Sequence, residues 1–395
     1  MNELTALLAF CVAAACSLLS TPLVSRLAFR VGAVDQPSER GLHDRPTPSL
    51  GGLAILAGVI VAGALLVPAD AQVRGILLGA ALITAVGAVD DVFALSPALK
   101  LGGQVAAALV PVLSGVHVEN ITLPFLGHVG LGVGGGALTL LGIVAVMNVV
   151  NFTDGVDGLA AGVCTIAAAT FAVIALSLGR EQAGILAAVI AGAAIGFLWH
   201  NFHPASIFMG DAGSNLLGLL LACVAIQGVL KTAAVVALVF PLAILAVPIL
   251  DTGFVLAKRV KYRRPVYQAD RWHFHHRFSN IGFSQRRTVL YLYGWTLALA
   301  ALALALRFVP YSDDHGHFDT EWTLVMLGFG AIAFTASAYL VYILEIVKFR
   351  RLRERQLRRA AGGPGAPAAA IADGEIEAEI AREVETGEFE ALAKD

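Results

Sequence analysis

Residues 148–178 read NVVNFTDGVDGLAAGVCTIAAATFAVIALSL, and the fold turns on the join inside this stretch. Up to Asp157 it is dense in Asn, Asp and Gly; from Gly158 onward it carries no charge. The second part is long enough to cross a hydrocarbon core of about 30 Å. Backbone polar groups in lipid must be satisfied within their own segment, so such a run is a transmembrane helix. The oxygen-rich residues then sit where that helix meets water.

The rest of the chain repeats the pattern. The protein is 57% hydrophobic and 14% charged, against about 25% charged in a soluble domain. Its mean hydropathy is +0.77. So much apolar surface requires a bilayer as solvent. Runs that cross or nearly cross it fall at 4–28, 51–68, 74–89, 98–115, 137–150, 158–178, 183–199, 213–228, 233–255, 289–308 and 322–346. Several are short and bordered by Asp, Asn and Gly, as expected of helices that end around a water-filled cavity. The expected fold class is an all-α polytopic membrane protein, with about eleven transmembrane helices around a cytoplasm-facing cleft. Residues 4–28 are read as the first of these helices, not as a cleaved signal, because Glu3 replaces the usual basic leader and no cleavage site follows. The cysteines at 11, 16, 164 and 223 all lie inside apolar runs, which indicates neither a disulfide framework nor a zinc site. Net charge is only −2 and no nucleic-acid footprint is present.

Lys and Arg concentrate in 29–50, 256–288 and 347–360, whereas the opposite loops hold only Arg74, Arg180, Lys231 and Arg307. The positive-inside rule then places the amino terminus outside and the carboxyl terminus in the cytoplasm, as an odd number of crossings requires. Segment 116–136 reads as an external loop, with a short hairpin in it. A catalytic membrane domain is expected over 1–350, with cytoplasmic loops at 29–50, 90–97, 151–157, 200–212 and 256–288. A basic, then acidic, flexible tail is expected over 351–395.

On that topology the polar motifs share the cytoplasmic face. Asp90 and Asp91 end an apolar run; two adjacent carboxylates there repel each other and resist dehydration unless a cation is bound or water reaches them. Lys100 follows near the mouth of the next helix, where it either snorkels or meets a phosphate. Asn148, Asn151, Asp154 and Asp157 recur every three residues with no sulfur among them, a donor set suited to a hard cation or a polar nucleotide. In NFHPASIFMGDAGSNLLG, which begins at Asn201, Asp211 stands at a helix start, either as its cap or as an ion ligand beside free amides. Phe208 is placed either to stack on a nucleobase or to pack the loop. The loop RWHFHHRF, with Arg271, His273, His275, His276 and Arg277, suits phosphate better than a transition metal, since no Cys or carboxylate joins the imidazoles at ligand spacing. The first cytoplasmic loop carries Arg40, His43 and Arg45 beside the membrane, which taken alone read as positive-inside anchoring.

These motifs resemble the polyprenyl-phosphate N-acetylhexosamine-1-phosphate transferases. DQPSERGLHDRPTPSLGG, VDDVFALSPALK, NVVNFTDGVDGLAAG, FHPASIFMGDAGSNLLG and PILDTGFVLAKRVKYRRPVYQADRWHFHHRF occur in the family's order, from residue 35 to about 280. The HFHHR loop is similar to the WecA and TagO branch more than to MraY, although the fold implied is MraY-like. The resemblance implies UDP-N-acetylglucosamine as donor, a polyprenyl phosphate as acceptor and UMP as a product. It also implies Mg²⁺, or Mn²⁺ in its place, a bacterial plasma-membrane location and a homodimer. By position, Asp90 and Asp91 resemble the family's acidic pair and Asp211 its Mg²⁺ ligand, with Asp91 sharing the ion. Asn151, Asp154 and Asp157 resemble its nucleotide-site residues, and Phe208 the stacking aromatic. Lys100 resembles the phosphate lysine, and His275 and His276 the diphosphate histidines. Asn148, Asn201, His43, Arg271, His273 and Arg277 complete the expected substrate contacts. One departure is Ala94, which stands where some relatives carry a further Asp; it weakens any mechanism that needs a third carboxylate there.

Two rivals from other classes predict different things. A transporter would place its acids at mid-membrane depth and show an inverted repeat, whereas these acids lie at span ends and no repeat is visible. A non-catalytic lipid binder would need no carboxylate cluster.

Overall fold

The structure is a computed structural model that describes residues 2–36, 45–123, 127–228, 249–250, 252–253, 284–310 and 319–343. Ten helices lie among the described residues: α1 Asn2–Val31, α2 Gly52–Leu66, α3 Ala71–Phe93, α4 Pro97–Leu113, α5 Val133–Thr153, α6 Leu159–Ser177, α7 Glu181–Asn201, α8 Gly210–Gly228, α9 Gln285–Phe308 and α10 Thr320–Ile343. Among them, α1, α3, α5, α6, α7, α8 and α9 are long and apolar enough to cross a membrane, while α2 and α4 are shorter apolar helices. The protein is therefore a multi-pass, all-α membrane protein. The expected span at 233–255 falls almost wholly outside the described residues, as does the tail 351–395, so the count of eleven rests on the sequence. The hairpin expected in the external loop is present: β3 Asn120–Leu123 pairs antiparallel with β4 Gly127–Gly130. A second small pair, β1 Val34–Asp35 with β2 Thr47–Pro48, closes the first basic loop.

Burial identifies the centre. The most apolar stretches of α6, α7 and α8 are 72%, 78% and 89% buried, against 22%, 33% and 28% for α1, α3 and α5. The outer helices turn large apolar side chains such as Leu19, Leu65, Leu78 and Leu141 outward, as lipid contact requires. α8 is thus the axis of the bundle, and the residue at its tip is Asp211.

Lipid gives helices no hydrophobic reason to associate, so close backbone packing by small residues must hold them together. The interface of α1 with α7 is built this way. α1 buries Ala6, Ala9, Ala13 and Ser17, and α7 opposes them with Gly192 and Gly196. A Cβ at Gly192 would lie 2.1 Å from the Phe10 carbonyl oxygen, and one at Gly196 would lie 2.2 Å from that of Ala14. Gly142 on α5, by contrast, faces open space.

Gly192→Val is therefore expected to cost about 1–3 kcal/mol by overpacking, whereas Gly142→Ala gains up to about 1 kcal/mol of helix propensity. Thermal unfolding in detergent checks both; equal melting temperatures for Gly192→Val and the unmodified protein would contradict this packing.

Candidate active site

Four helix ends converge on one face. α3 stops at Phe93 because Ala94 adopts a left-handed φ of 50° and turns the chain. Ser96 then accepts from the Leu99 amide, and Pro97 opens α4. The turn is held by Asp90, whose Oδ1 accepts from Leu95 N at 2.7 Å. Folding α4 back in this way brings Lys100 over the acid that ended α3. Its ammonium lies 3.2 Å from Asp90 Oδ2 and 2.5 Å from Asp211 Oδ2.

Asp91 does something different from its neighbour. Its Oδ1 accepts from Asp211 N at 2.8 Å and its Oδ2 from Ala212 N at 3.1 Å. It therefore caps α8 from another helix, and Asp211 is not the cap. Of the two readings of this helix start, Asp211 as cap or as ion ligand beside free amides, the first is excluded, and these two amides are taken by Asp91. The approach is close enough to need glycine. Gly210 has φ +71°, and a Cβ on it would sit 2.5 Å from Asp91 Oδ2. A Cβ on Gly87 of α3 would lie 2.5 Å from Ala212 Cα, and one on Gly52 of α2 would lie 2.2 Å from Gly213 N.

Asp211 thus points its carboxylate at Lys100 and at Asn151, whose Nδ2 donates to Oδ1. Asn151 also donates to Ser214 Oγ at 2.8 Å. Beneath them a chain of amides runs into the bundle. Asn215 Nδ2 donates to the Asp211 carbonyl at 2.8 Å, Gln104 Nε2 to Asn215 Oδ1 at 2.7 Å, and Asn148 Nδ2 to Gln104 Oε1 at 2.9 Å. Gln104 and Asn215 are each only 1% exposed, so these bonds satisfy polar groups that lipid or apolar packing would leave stranded. Gln104, Ser214 and Asn215 were not expected in the site. Their signal was available: Ser214 and Asn215 follow Asp211 at one helical turn, and Gln104 follows Lys100 at four residues.

Asp154 caps the end of α5 beside this cluster. Burial, and then the charges of Asp211, Asp91 and Asp157, push its carboxyl up to about 8. Asp157 and Asn201 shape the adjoining loops. Asp157 Oδ2 accepts from His203 Nδ1 at 2.8 Å and from Ala205 N at 3.0 Å. Asn201 accepts from Gly158 N and donates to the Ile207 carbonyl, both at 3.0 Å. Two residues of α9 brace the same loops: Arg286 Nε donates to the His203 carbonyl at 3.2 Å, and the Tyr293 hydroxyl to that of Gly158 at 2.5 Å. Phe208 is strapped to the first basic loop, its amide donating to the Pro48 carbonyl at 2.8 Å and its carbonyl accepting from Gly51 N at 3.0 Å. A cavity of about 600 Å³ opens between these loops, with Phe29, Arg45, Asp157, His203 and Phe208 in its wall.

The structure therefore gathers Asp90, Asp91, Lys100, Asn148, Asn151 and Asp211 in one cluster, with Asp154 beside it. Asp157, Asn201 and Phe208 lie around the adjoining loops. His43, Arg271, His273, His275, His276 and Arg277 lie outside the described residues. Among the described residues no three His, Cys, Asp or Glu side chains form a ready metal cage. The free donors are nonetheless the right kind. Two carboxylates already converge on one cationic centre, the Lys100 ammonium, and every nearby donor is oxygen or amide, as a hard divalent ion prefers.

Comparison with known proteins places this arrangement. The family described as "Glycosyl transferase family 4" matches residues 73–229, which hold all of the cluster. A Bacillus subtilis (strain 168) protein named "Probable undecaprenyl-phosphate N-acetylglucosaminyl 1-phosphate transferase" is 40% identical over 301 residues, 75% of this chain and 84% of that protein. The "Decaprenyl-phosphate N-acetylglucosaminephosphotransferase" of Mycobacterium tuberculosis (strain ATCC 25618 / H37Rv) is 38% identical over 365 residues, 84% of this chain and 88% of that protein. The "Undecaprenyl-phosphate alpha-N-acetylglucosaminyl 1-phosphate transferase" of Escherichia coli (strain K12) is 28% identical over 349 residues, 86% and 92% of the two chains.

Because Asp91 serves two backbone amides, Asp91→Asn turns an acceptor into an NH₂ group facing an N–H and should cost about 1–3 kcal/mol of stability. A melting temperature unchanged by this substitution would remove the capping role.

Proposed function

Because this chain belongs to glycosyl transferase family 4, among the polyprenyl-phosphate N-acetylglucosamine-1-phosphate transferases, we propose that it draws N-acetylglucosamine-1-phosphate from UDP-N-acetylglucosamine and uses Mg²⁺ to pass it on. It is a membrane-embedded transferase that places this group on a polyprenyl phosphate. The donor, the ion and the cytoplasmic orientation of the site complete the proposal; the last is supported by the basic residues at 29–50 and 256–288.

One observation carries the reading. Carboxylates from α3 and α8 and a lysine from α4 meet at the end of the bundle, beside a cavity walled in part by an aromatic side chain. Phe208 and Asp211 are three residues apart, which limits their Cα atoms to a separation of about 11 Å. That is the scale of a nucleoside diphosphate with its base at one residue and its phosphates at the other.

The chemistry proposed is in-line attack by an oxygen of the lipid phosphate on the sugar-bearing phosphorus of the donor. The new P–O bond forms as the bond to UMP breaks. A phosphate monoester, with a second pKa of about 6, is already largely dianionic at neutral pH, so little general-base help is needed. Asp211 and Asp90, with the amide of Asn151, are the groups that would hold Mg²⁺. When bound, the ion supplies charge neutralisation to the diphosphate and to the departing UMP. Lys100 pairs with the carboxylates in the absence of substrate and is on hand for a phosphate oxygen. Asp91 keeps the tip of α8 in register and so aims Asp211.

Purified protein in lipid nanodiscs, given polyprenyl phosphate, UDP-N-acetylglucosamine and Mg²⁺, should release UMP in step with a lipid-soluble product. Asp211→Asn should retain the fold and lose roughly a hundredfold or more in turnover. Near-normal turnover in that variant would overturn the metal assignment.

A further inference from the structure

We infer that His203 reads the base of the nucleotide donor, its Nε2 accepting the imide N–H that a uracil presents and a cytosine lacks. This rests on the proposed reading of the cavity as the base site, and it goes further by naming the atom that selects.

Most polar groups in the cavity wall are already committed. Thr47 Oγ1 donates to the Arg45 carbonyl at 3.0 Å, and Ser206 Oγ to that of His200 at 2.9 Å. The Ala205 amide is given to Asp157, and the amide and carbonyl of Phe208 to Pro48 and Gly51. Polar side-chain atoms with no partner among the described residues remain on His203, Arg45 and Asp157. The remaining walls are flat and apolar: Phe29, Pro46, Pro48, Pro204 and Phe208. Such a chamber suits a planar heterocycle, held by its faces and identified at its edge.

The edge is where His203 acts. Its Nδ1 lies 2.8 Å from Asp157 Oδ2. A carboxylate only accepts, so in the neutral ring the proton is on Nδ1 and Nε2 carries a lone pair. The ring cannot swing to trade these roles easily. Its carboxylate partner also holds the next amide but one, that of Ala205, and its own carbonyl is held by Arg286 of α9. His203, its side chain 32% exposed against 13% for Asp157, then offers an oriented acceptor in the same cavity wall as one guanidinium, that of Arg45. Uracil offers an N–H between two carbonyls, matching an acceptor with a cation alongside. Cytosine offers a bare ring nitrogen at the same place, so two lone pairs would meet. His203 is thus assigned a specificity-determining contact, and Asp157 and Arg286 are the residues that position it.

Equilibrium binding of UMP and of CMP to the full-length protein in detergent tests this. The unmodified protein should prefer UMP by roughly tenfold or more, the worth of one good hydrogen bond. His203→Asn keeps a side-chain N–H for Asp157 but has no atom at the Nε2 position. It should lose that preference through weaker UMP binding, with CMP affinity and melting temperature little changed. His203→Gln, whose amide oxygen reaches the Nε2 position, should restore part of the preference. Equal loss of UMP and CMP binding in His203→Asn would show a loop-shaping role only and overturn the inference, as would an unmodified protein with no preference. Phe208→Ala separates the two levels of the argument. It should weaken UMP and CMP alike; no effect on either would remove the cavity reading itself, whatever His203 does.

Discussion

Two amide hydrogens at the start of α8 have no partner within their own helix, and both are met by one carboxylate reaching across from α3. That contact, Asp91 to the amides of Asp211 and Ala212, fixes the site. Leaving either amide stranded costs about 1–3 kcal/mol. The positive end of the helix dipole adds to the attraction for a carboxylate. The contact also sets a distance: α3 and α8 can come close enough only where Gly87 and Gly210 leave room, and Gly52 does the same for α2 against α8. The same glycines that look like loop punctuation in the sequence are there to let two helices share one anion.

Everything functional is arranged around that joint. With Asp91 turned to the backbone of α8, its neighbour Asp90 and the helix-tip Asp211 face Lys100. Adjacent carboxylates with separate duties resolve the repulsion that would otherwise make an Asp-Asp pair at a membrane surface costly. The polar chain through Asn151, Ser214, Asn215, Gln104 and Asn148 carries the same discipline inward, so that the cluster of charge at the tip of the most buried helix rests on side chains hydrogen-bonded to one another.

Much of this was legible in the sequence because a bilayer makes polar residues conspicuous. Asp90, Asp91, Asn148, Asn151 and Asp211 stood out as oxygen donors at the ends of apolar runs, and alternate span ends had to share a face. What was not legible was direction. Nothing in DDVF says which of two neighbouring acids turns toward another helix, so the contacts of Asp91 with the backbone of α8 appear only in the structure. His203 was missed because a lone imidazole in a loop carries no spacing signal. Its role follows only from Asp157, forty-six positions away. Gln104 was passed over as one polar residue in an apolar helix, and its importance depends on the two asparagines it meets in space. The basic loop with His275 and His276 lies outside the described residues, so its expected contact with phosphate remains a matter of sequence.

On the proposed function, residues from α3, α5 and α8 hold one divalent ion against the phosphates of the donor. Electron paramagnetic resonance of Mn²⁺ bound to the protein in nanodiscs addresses this directly. A single ion per chain should show ³¹P hyperfine coupling once UDP-N-acetylglucosamine is added, and Asp211→Asn should abolish that signal. A coupled ion that persists unchanged in Asp211→Asn, or no bound ion at all, would contradict the account.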